Sequence, residues 1–306
     1  MKRLLILLAF TVSAQTRQVV ITIDDLPRGG DNPSANDLAG VRAMTEKLLQ
    51  PLRGTQAIGF VNPGSDTALG LGEAGLQSIL KQWLDHGLDL GNHTHTHPNI
   101  NQVALAEYTA DILRAEPALT KARGRRPVYF RHPFLHTGQD EAARAGLADF
   151  LRSHNYQVAP VTIDNSDWMF ARVYANALRK DAALAKRIQR TYVEYMETMF
   201  AFFETRGAEV TGGDFPQILL LHANQLNADT LPELLAMMRR RGYQFVSLET
   251  ALRHPAYALS DGYTGPWGLS WIHRWAKAKA LPTAGEPAEP KEILDLYRGR
   301  AAAPPR

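Results

Sequence analysis

The sequence contains no cysteine, so no disulfide bond can hold this chain together. A chain without cysteine is compatible with an oxidising compartment but does not indicate one. Long hydrophobic runs are also missing, because no stretch after residue 14 approaches the roughly 20 apolar residues that a membrane-spanning helix needs. These absences exclude a disulfide-stapled scaffold and an integral membrane protein with several spans.

A large excess of one charge is absent as well. The chain has 34 Lys and Arg against 31 Asp and Glu, a formal net charge of +3, and Lys2 and Arg3 supply two of those charges. One short basic cluster comprises Lys121, Arg123, Arg125 and Arg126. So small a cluster is more typical of a solvated helix end than of a nucleic-acid surface, and no nucleic-acid partner is predicted.

The first residues have the pattern of a secretory signal peptide. Lys2 and Arg3 precede an apolar run of about ten residues, and the small residues Ser13 and Ala14 follow it. Cleavage after Ala14 would leave an exported chain, periplasmic or secreted, with a net charge near +1 (3 − 2) and no stable membrane insertion. A buried amino-terminal strand or an uncleaved anchor is the alternative for the same residues.

The rest of the chain alternates short β-branched runs with stretches of helical periodicity. Predicted strands cover residues 19–23, 57–61, 88–92, 128–130, 157–163, 218–221 and 244–248, and predicted helices cover 37–49, 74–84, 104–118, 141–154, 170–203 and 231–241. Seven such repeats with apolar strands predict an α/β fold, a distorted seven-stranded (β/α) barrel similar to a TIM barrel. Pro160 predicts a bulge or an unpaired edge in the fifth strand.

The strand–helix rhythm stops after residue 255. Residues 256–275 are rich in aromatic side chains and are expected to pack on the barrel, whereas residues 281–290 are rich in Pro, Ala and Glu and resemble a linker. A short helix is expected near residues 291–297. We therefore predict a signal peptide at 1–14, a barrel domain at 15–255, and an aromatic-rich carboxy-terminal extension with a linker-like tail at 256–306.

Polar and ionisable residues follow the predicted strands. They are Asp24, Asp25, His93, His97, Arg131, Asp164, Asp167 and His222. Because the carboxyl ends of parallel barrel strands open on one face, these side chains should meet in one mouth. His93 and His97 are four positions apart, which suits them to hold one divalent ion together with a carboxylate. His95 should point the other way, and a polar turn is the alternative for all three histidines.

Five segments in this order resemble motifs of the polysaccharide deacetylases of carbohydrate esterase family 4, which include peptidoglycan and chitin deacetylases. They are Thr22-Ile23-Asp24-Asp25 (T-F-D-D), His93-Thr94-His95-Thr96-His97-Pro98 (H-T-x-x-H-P), Phe130-Arg131-His132-Pro133-Phe134 (R-x-P-Y), Asp164-Asn165-Ser166-Asp167-Trp168 (D-x-x-D-W) and Leu220-Leu221-His222 (L-x-H). The resemblance spans about residues 17–250. It departs from the family where Leu26-Pro27 replaces Gly-Pro and where Phe134 replaces Tyr.

The resemblance implies a metal-dependent hydrolase that removes N-acetyl groups from a carbohydrate, such as peptidoglycan, a chitin-like oligomer or an exopolysaccharide, by attack of a metal-bound water. The implied roles are metal binding for Asp25, His93 and His97, general base for Asp24, support of that base for Arg131, general acid for His222, and orientation of the acid for Asp167. The implied substrate pocket comprises Pro133, Phe134 with its backbone N–H, Trp168 and Leu220.

One divalent metal ion is the implied cofactor, and the sequence leaves its identity open. Two histidines and a carboxylate favour zinc, but Co, Mn, Ni or Fe fit the same ligands. An O-acetyl esterase on xylan-like glycans, or an amide hydrolase on a non-sugar substrate, would use the same site. A non-catalytic carbohydrate-binding protein is the remaining alternative. Taken one by one, Arg131 could instead form a pair on the barrel rim, and Trp168 and His222 could be core residues. The glycan and the oligomeric state stay open.

Overall fold

The structure is a computed structural model that describes residues 17–30, 35–65 and 69–299. The predicted signal peptide lies outside these residues. Seven strands form one sheet, and all of their pairings are parallel. The strands are β1 (Arg17–Leu26), β2 (Ile58–Val61), β3 (Asp89–Asn92), β4 (Tyr129–Phe130), β5 (Gln157–Val158), β6 (Gln217–His222) and β7 (Tyr243–Phe245).

The central strand is β1, whose apolar run suits burial on both faces. Val19, Val20 and Ile21 are fully buried, as expected for a parallel strand that is covered on both sides. The strand order is β5-β4-β3-β2-β1-β6, and β7 pairs with the first residues of β1. A bridge between Ile163, beyond β5, and Leu219 of β6 joins the two ends of this order. The predicted α/β fold, a distorted seven-stranded (β/α) barrel, is confirmed.

The helices pack around this sheet. Asp37 and Asp140 each begin a helix, because each side chain accepts a hydrogen bond from a backbone N–H of the first turn. Within the described residues, no helix is long and apolar enough to cross a membrane. The helices are α1 (Leu38–Leu49), α2 (Gly72–Asp85), α3 (Leu105–Arg123), α4 (Glu141–Ser153), α5 (Asp167–Leu178), α6 (Ala182–Thr211), α7 (Gln225–Arg240), α8 (Leu248–Leu252), α9 (Trp271–Ala278) and α10 (Lys291–Tyr297).

The prediction of one continuous helix over residues 170–203 is wrong. The chain forms α5 and α6 instead, with a break after Leu178. Asp181 has an extended backbone, and its side chain accepts hydrogen bonds from the N–H groups of Ala183 and Leu184, which begins a new helix. An N-cap of this kind ends one helix and starts the next without Pro or Gly.

The fifth strand is shorter than the predicted segment 157–163. It ends at Val158, and Pro160, which cannot donate a ladder hydrogen bond, follows it. The N–H groups of Thr162 and Ile163 then donate to the carbonyl of Ile218, at 3.0 and 3.1 Å. The break at Pro160 thus lets the chain leave β4 and reach β6.

The carboxy-terminal extension covers this break. The Trp271 N–H donates to the Val161 carbonyl at 2.7 Å, and the Ser270 hydroxyl donates to the Thr162 carbonyl at 2.8 Å. The extension thereby satisfies backbone groups that lie outside the regular ladder. The domain boundary at residue 255 stays a prediction.

The basic cluster lies at the end of α3 and just beyond it. Each of its four side chains pairs with a carboxylate: Lys121 with Glu73, Arg123 and Arg125 with Asp89, and Arg126 with Glu116. Three carboxylates therefore offset most of the cluster's four positive charges.

Candidate active site

Two carboxylates near the end of β1 turn into the same mouth of the barrel. Asp24 pairs with His222 of β6 and is 2% exposed. Asp25 has a φ of 63°, in the left-handed region that non-glycine residues seldom adopt. Gly29 packs so close that a Cβ at residue 29 would lie 2.9 Å from the Asp25 Cβ. This left-handed turn redirects Asp25, which in a regular strand would point to the face opposite Asp24.

The loop after β3 presents His93 and His97 from a tightly bonded turn. The backbone of His97 is left-handed, with a φ of 57°. Asp111 of α3 holds the turn, because its Oδ1 accepts hydrogen bonds from the N–H groups of His95 and Thr96, both at 2.8 Å. Asp111 was not among the predicted site residues, because it lies within a helix and not at the end of a strand.

The His93 ring has a fixed orientation and tautomer. Its Nδ1 lies 2.9 Å from the backbone carbonyl of Arg131. Because a carbonyl only accepts, Nδ1 carries the proton and Nε2 presents its lone pair to the mouth of the barrel. Histidines that bind metals commonly use their second nitrogen in this way.

The geometry of Asp25, His93 and His97 fits a shared divalent ion. Nε2 of His93 and Nε2 of His97 each lie 3.5 Å from Oδ1 of Asp25, and the three ligand atoms lie within 4.8 Å of one another. Atoms bound to one tetrahedral ion at ~2.0–2.2 Å are roughly 3.3–3.6 Å apart. His95 is outside this cluster, and its ring lies against Gly64.

The electrostatics favour the protonation states that metal ligands need. The pKa of His97 is lowered to about 4. Burial has the largest effect, the neighbouring His93 and His222 lower the pKa further, and together they outweigh the charge of Asp25, which raises it. Burial by itself raises the pKa of Asp25, but the three surrounding histidines, His93 first, bring that pKa well below its usual range. A neutral ring beside an ionised carboxylate is the form that binds a cation.

Asp24 is held from behind by a fully buried arginine. Nη1 of Arg131 lies 3.3 Å from Oδ2 of Asp24, while Nη2 donates to the Thr22 hydroxyl at 2.9 Å and Nε to the Ala159 carbonyl at 2.8 Å. The other oxygen of Asp24, Oδ1, is buried and has no hydrogen-bond partner among the described residues. A buried acceptor without a partner is costly, so this oxygen fits a group that is supplied by solvent or substrate.

His222 forms the second histidine–carboxylate unit of the site. Its Nδ1 lies 2.6 Å from Oδ1 of Asp167, and its backbone N–H donates to Oδ2 at 2.8 Å. Nδ2 of Asn227 also donates to that Oδ2, at 2.6 Å, and the sequence analysis missed this residue. Burial lowers the pKa of His222, but the charge and hydrogen bond of Asp167, together with Asp25 and Asp24, raise it to about 10.

A cavity of about 640 Å³ opens over these groups. The predicted site residues that line it are Asp24, Asp25, His93, His97, Phe134, Trp168, Leu220 and His222. Arg131, Asp167 and Pro133 are buried behind its wall. Trp168 is 49% exposed and is therefore not a core residue. The lining residues that the sequence analysis missed include His132, Arg172, Glu286 and Tyr297.

The turn that carries Phe134 is clamped by the carboxy-terminal extension. Phe134 and Leu135 have φ values of 56° and 55°, both left-handed. Gly268 packs so close that a Cβ there would lie 1.8 Å from the Phe134 carbonyl oxygen. Arg274 is fully buried and donates to the Leu135 carbonyl at 2.5 Å and to the Thr137 hydroxyl at 2.9 Å.

Comparison with known proteins finds related sequences and related folds. A family model described as polysaccharide deacetylase matches residues 11–150. The chain is 23% identical over 246 residues to a peptidoglycan-N-acetylglucosamine deacetylase of Bacillus cereus, which covers 78% of this chain and 70% of that protein. These matches make the chain similar to polysaccharide deacetylases. The resemblance seen in the sequence is thereby confirmed.

Two further matches limit what this similarity implies. The peptidoglycan-N-acetylmuramic acid deacetylase PdaC of Bacillus subtilis is 23% identical over 239 residues, but the chain spans only 39% of that protein's length. A mutant of BA3943, a CE4 family pseudoenzyme with restored enzymatic activity, has a TM-score of 0.50 at 15% identity, covering 78% of this chain and 68% of that structure. The wild-type BA3943 comes from Bacillus anthracis. This likeness shows the fold of a polysaccharide deacetylase and nothing finer.

Proposed function

We propose that this protein is a metal-dependent hydrolase that removes N-acetyl groups from a carbohydrate. The observation that carries the proposal is the convergence on one cavity of a metal-ligand set, a buried carboxylate and a histidine with a raised pKa. An amide has a weakly electrophilic carbonyl and a poor leaving nitrogen. Its hydrolysis needs an activated water, stabilisation of charge on oxygen, and a proton for nitrogen.

Asp24 is the proposed general base. Arg131 fixes its Oδ2 at 3.3 Å, while the buried Oδ1 has no partner among the described residues. That oxygen can accept a proton from the attacking water without first breaking a hydrogen bond to the protein. The side chain of Arg131 acts through Asp24, by holding the carboxylate in place.

His222 is the proposed general acid. Its pKa of about 10 keeps the ring protonated at neutral pH, and Asp167 accepts from Nδ1 at 2.6 Å. Nε2 is then the atom that gives a proton to the leaving nitrogen. An amine expelled without that proton would be an unstable anion, so this transfer makes departure possible.

Asp25, His93 and His97 are the proposed ligands of one divalent cation. When bound, such an ion polarises the acetyl carbonyl and lowers the pKa of a coordinated water. Zinc is favoured by two imidazoles and one carboxylate, and Co, Mn, Ni or Fe accept the same donors. Any of these ions would be bound by neutral imidazoles and an ionised carboxylate, which are the protonation states described above.

Trp168 and Leu220 are proposed to wall the acetyl group. The backbone N–H of Phe134 would donate to the carbonyl oxygen as negative charge develops there. Pro133 would act from behind the wall, by fixing the start of the turn. A left-handed turn held by the buried Arg274 can keep that N–H in one direction throughout the reaction.

The relatives that act on peptidoglycan support an acetylated glycan as the substrate. An O-acetyl ester or a non-sugar amide would meet the same groups, so these remain alternatives within hydrolases. A non-catalytic role is the alternative of another class, since one structural neighbour is a pseudoenzyme. Against that role, this chain keeps the base, the acid and all three ligands in one cavity.

The test is acetate release from a panel of N-acetylated and O-acetylated glycans, with and without a chelator. We expect release from an N-acetylated glycan, loss of release with chelator, and recovery when Zn²⁺ is added back. Release from O-acetylated glycans alone would replace the proposal with an esterase. No release from any glycan under any added metal would favour the non-catalytic role.

Export is proposed from the amino-terminal pattern of a basic pair, an apolar run and small residues. Peptidoglycan lies outside the cytoplasmic membrane, so the relatives named for acting on it support this location. Fractionation of cells that express the full chain should place the mature protein in the periplasm or medium. Recovery of only full-length chain in the cytosol would contradict the proposal.

A further inference from the structure

The tail beyond α9 is docked on the barrel. Ile293 is fully buried in the main core. The Ser166 hydroxyl donates to Glu289 at 2.7 Å, and Arg187 pairs with Glu292 at 2.9 Å. These contacts fix residues 289–293 to α6, to the core and to the residue before α5, and the linker interpretation of residues 281–290 stays a prediction.

This docking gives the cavity a second wall with its own chemistry. Tyr297 of α10 lies at 85° to Trp168, with ring centroids 5.5 Å apart, and the Arg172 guanidinium lies 5.2 Å from the Tyr297 ring centroid. All three side chains line the cavity. An aromatic corner of this kind presents apolar faces beside donors, a combination typical of sites that hold small polar ligands.

Carboxyl groups complete the wall. Glu286 lines the cavity, and its Oε2 lies 2.7 Å from Nε2 of His273. Asp164 lines it too; burial raises the pKa of Asp164 to about 7, and the charge of Glu286 adds to that effect. Since a carboxylate offers about four acceptor positions, Glu286 can hold His273 and still accept from hydroxyl groups in the cavity.

The position of the sugar relative to this wall follows from the role proposed for His222. The loop over residues 164–168 holds His222 through Asp167 and places Trp168 one residue further on. His222 would protonate the nitrogen that stays on the sugar after the acetyl group leaves. The sugar must therefore lie next to His222, and Trp168, one residue beyond the Asp167 that bonds His222, lines the same cavity as the tail residues Glu286 and Tyr297.

We propose that the tail builds a sugar-binding subsite beside the acetyl pocket, in which Tyr297 and Trp168 contact a sugar ring of the substrate chain and Glu286 accepts hydrogen bonds from its hydroxyl groups. This inference rests on the proposed function and names its substrate as an oligosaccharide rather than a single acetylated sugar. The residues involved lie outside the 11–150 segment that the family model matches. Glu286 and Tyr297 belong to the carboxy-terminal extension, whereas Trp168 belongs to the barrel.

The test compares the N-acetylglucosamine tetramer with p-nitrophenyl acetate, which is too small to span both walls. For Tyr297→Ala in the full chain, we expect the ratio of kcat/KM on the tetramer to kcat/KM on the ester to fall about ten-fold, mainly through KM. Tyr297→Phe should retain most of the ratio because it keeps the ring. Glu286→Gln should lower the ratio by about three-fold, because it weakens one hydrogen-bonding group.

Trp267→Ala is the matched control, since Trp267 is a 70% exposed aromatic residue of the same extension that does not line the cavity. This change should leave the ratio as in the wild type. Equal losses on tetramer and ester for Tyr297→Ala, or no loss, would overturn the subsite. Circular dichroism of each variant separates these outcomes from misfolding.

A binding measurement separates failure of the subsite from failure of the proposed function. Calorimetric titration of Asp24→Asn with the tetramer reads affinity without turnover. The same titration of the Asp24→Asn, Tyr297→Ala double variant should show about ten-fold weaker binding. Equal affinities would overturn the subsite even if the wild type released acetate. Weaker binding in the double variant would support it even if the wild type released none.

Discussion

Two histidine–carboxylate groups belong to the same site, and their electrostatics are opposite. On one side His97 lies 3.5 Å from Asp25, and its pKa falls to about 4. On the other side His222 lies 2.6 Å from Asp167, and its pKa rises to about 10. Both histidines are largely removed from water. The same pair of residue types therefore yields a neutral metal ligand on one side and a protonated acid on the other.

The difference comes from how each carboxylate is used. Asp167 is fully buried and bonds His222 twice, so its charge overcomes the burial that would otherwise deprotonate the ring. Asp25 is shared between two rings at a longer distance, which leaves burial and mutual repulsion in control of His97. Distance and the number of partners, more than residue identity, separate a ligand from an acid.

Substitution of a metal ligand should cause the largest loss of activity. His93→Ala removes one of three ligands, and we expect loss of bound metal together with loss of acetate release to background, because two donors hold a divalent ion poorly. His95→Ala is the matched control, since it lies in the same loop but outside the ligand cluster. Metal content after dialysis, measured by inductively coupled plasma mass spectrometry, checks both. A His93→Ala protein that kept stoichiometric metal would remove His93 from the ligand set.

The proposed base lies beside the metal ligands, but its substitution should lower activity without releasing the metal. Asp24→Asn keeps the shape of the side chain and removes its ability to take a proton, so kcat should fall by about 10²–10⁴-fold. Metal content should stay at the wild-type level, because Asp25, His93 and His97 are unchanged. Near-wild-type kcat would disprove the base assignment, whereas loss of metal would move Asp24 into the ligand set.

The turn that holds the ligands should show a smaller effect. Asp111→Ala removes the acceptor for the His95 and Thr96 backbone N–H groups, and metal affinity should fall by about 10–100-fold. Asp111→Asn retains one oxygen in that position and should recover most of the affinity. Competition with a chromogenic chelator measures both. Equal affinity in Asp111→Ala and wild type would show that the turn holds itself without this residue.

Asp111 also marks where sequence reasoning ends. The strand-end residues could be predicted because parallel strands bring their carboxyl ends to one face, wherever they lie in the chain. Asp111 and Asn227 sit inside helices, and their partners are backbone groups and side chains of other elements. Periodicity cannot tell such a residue from any polar position on a helix, because its contact exists only after the barrel has formed.

Two features of the fold had a signal in the sequence, but the local composition pointed to a different structure. The break between α5 and α6 lies at Asp181, a preferred N-cap residue, but the lack of Pro and Gly in that stretch suggested a single helix. The tail carries the Pro- and Ala-rich composition of a linker, yet Ile293 beyond it docks in the core. The tail contributes to the cavity only because Ile293 packs into the core, and local composition does not predict that contact.

The acid side should give the smallest change at neutral pH and the clearest change at high pH. The general acid must be protonated, so activity should persist as pH rises and fall only near the His222 pKa of about 10. Asp167→Asn removes the charge that raises this pKa and leaves burial, which lowers it. The alkaline limb of kcat/KM should therefore move to lower pH by about one to three units, while metal content stays unchanged. Measured with saturating metal, an unmoved limb would mean that Asp167 does not set the protonation of His222, and the contrast between the two histidines would lose its cause.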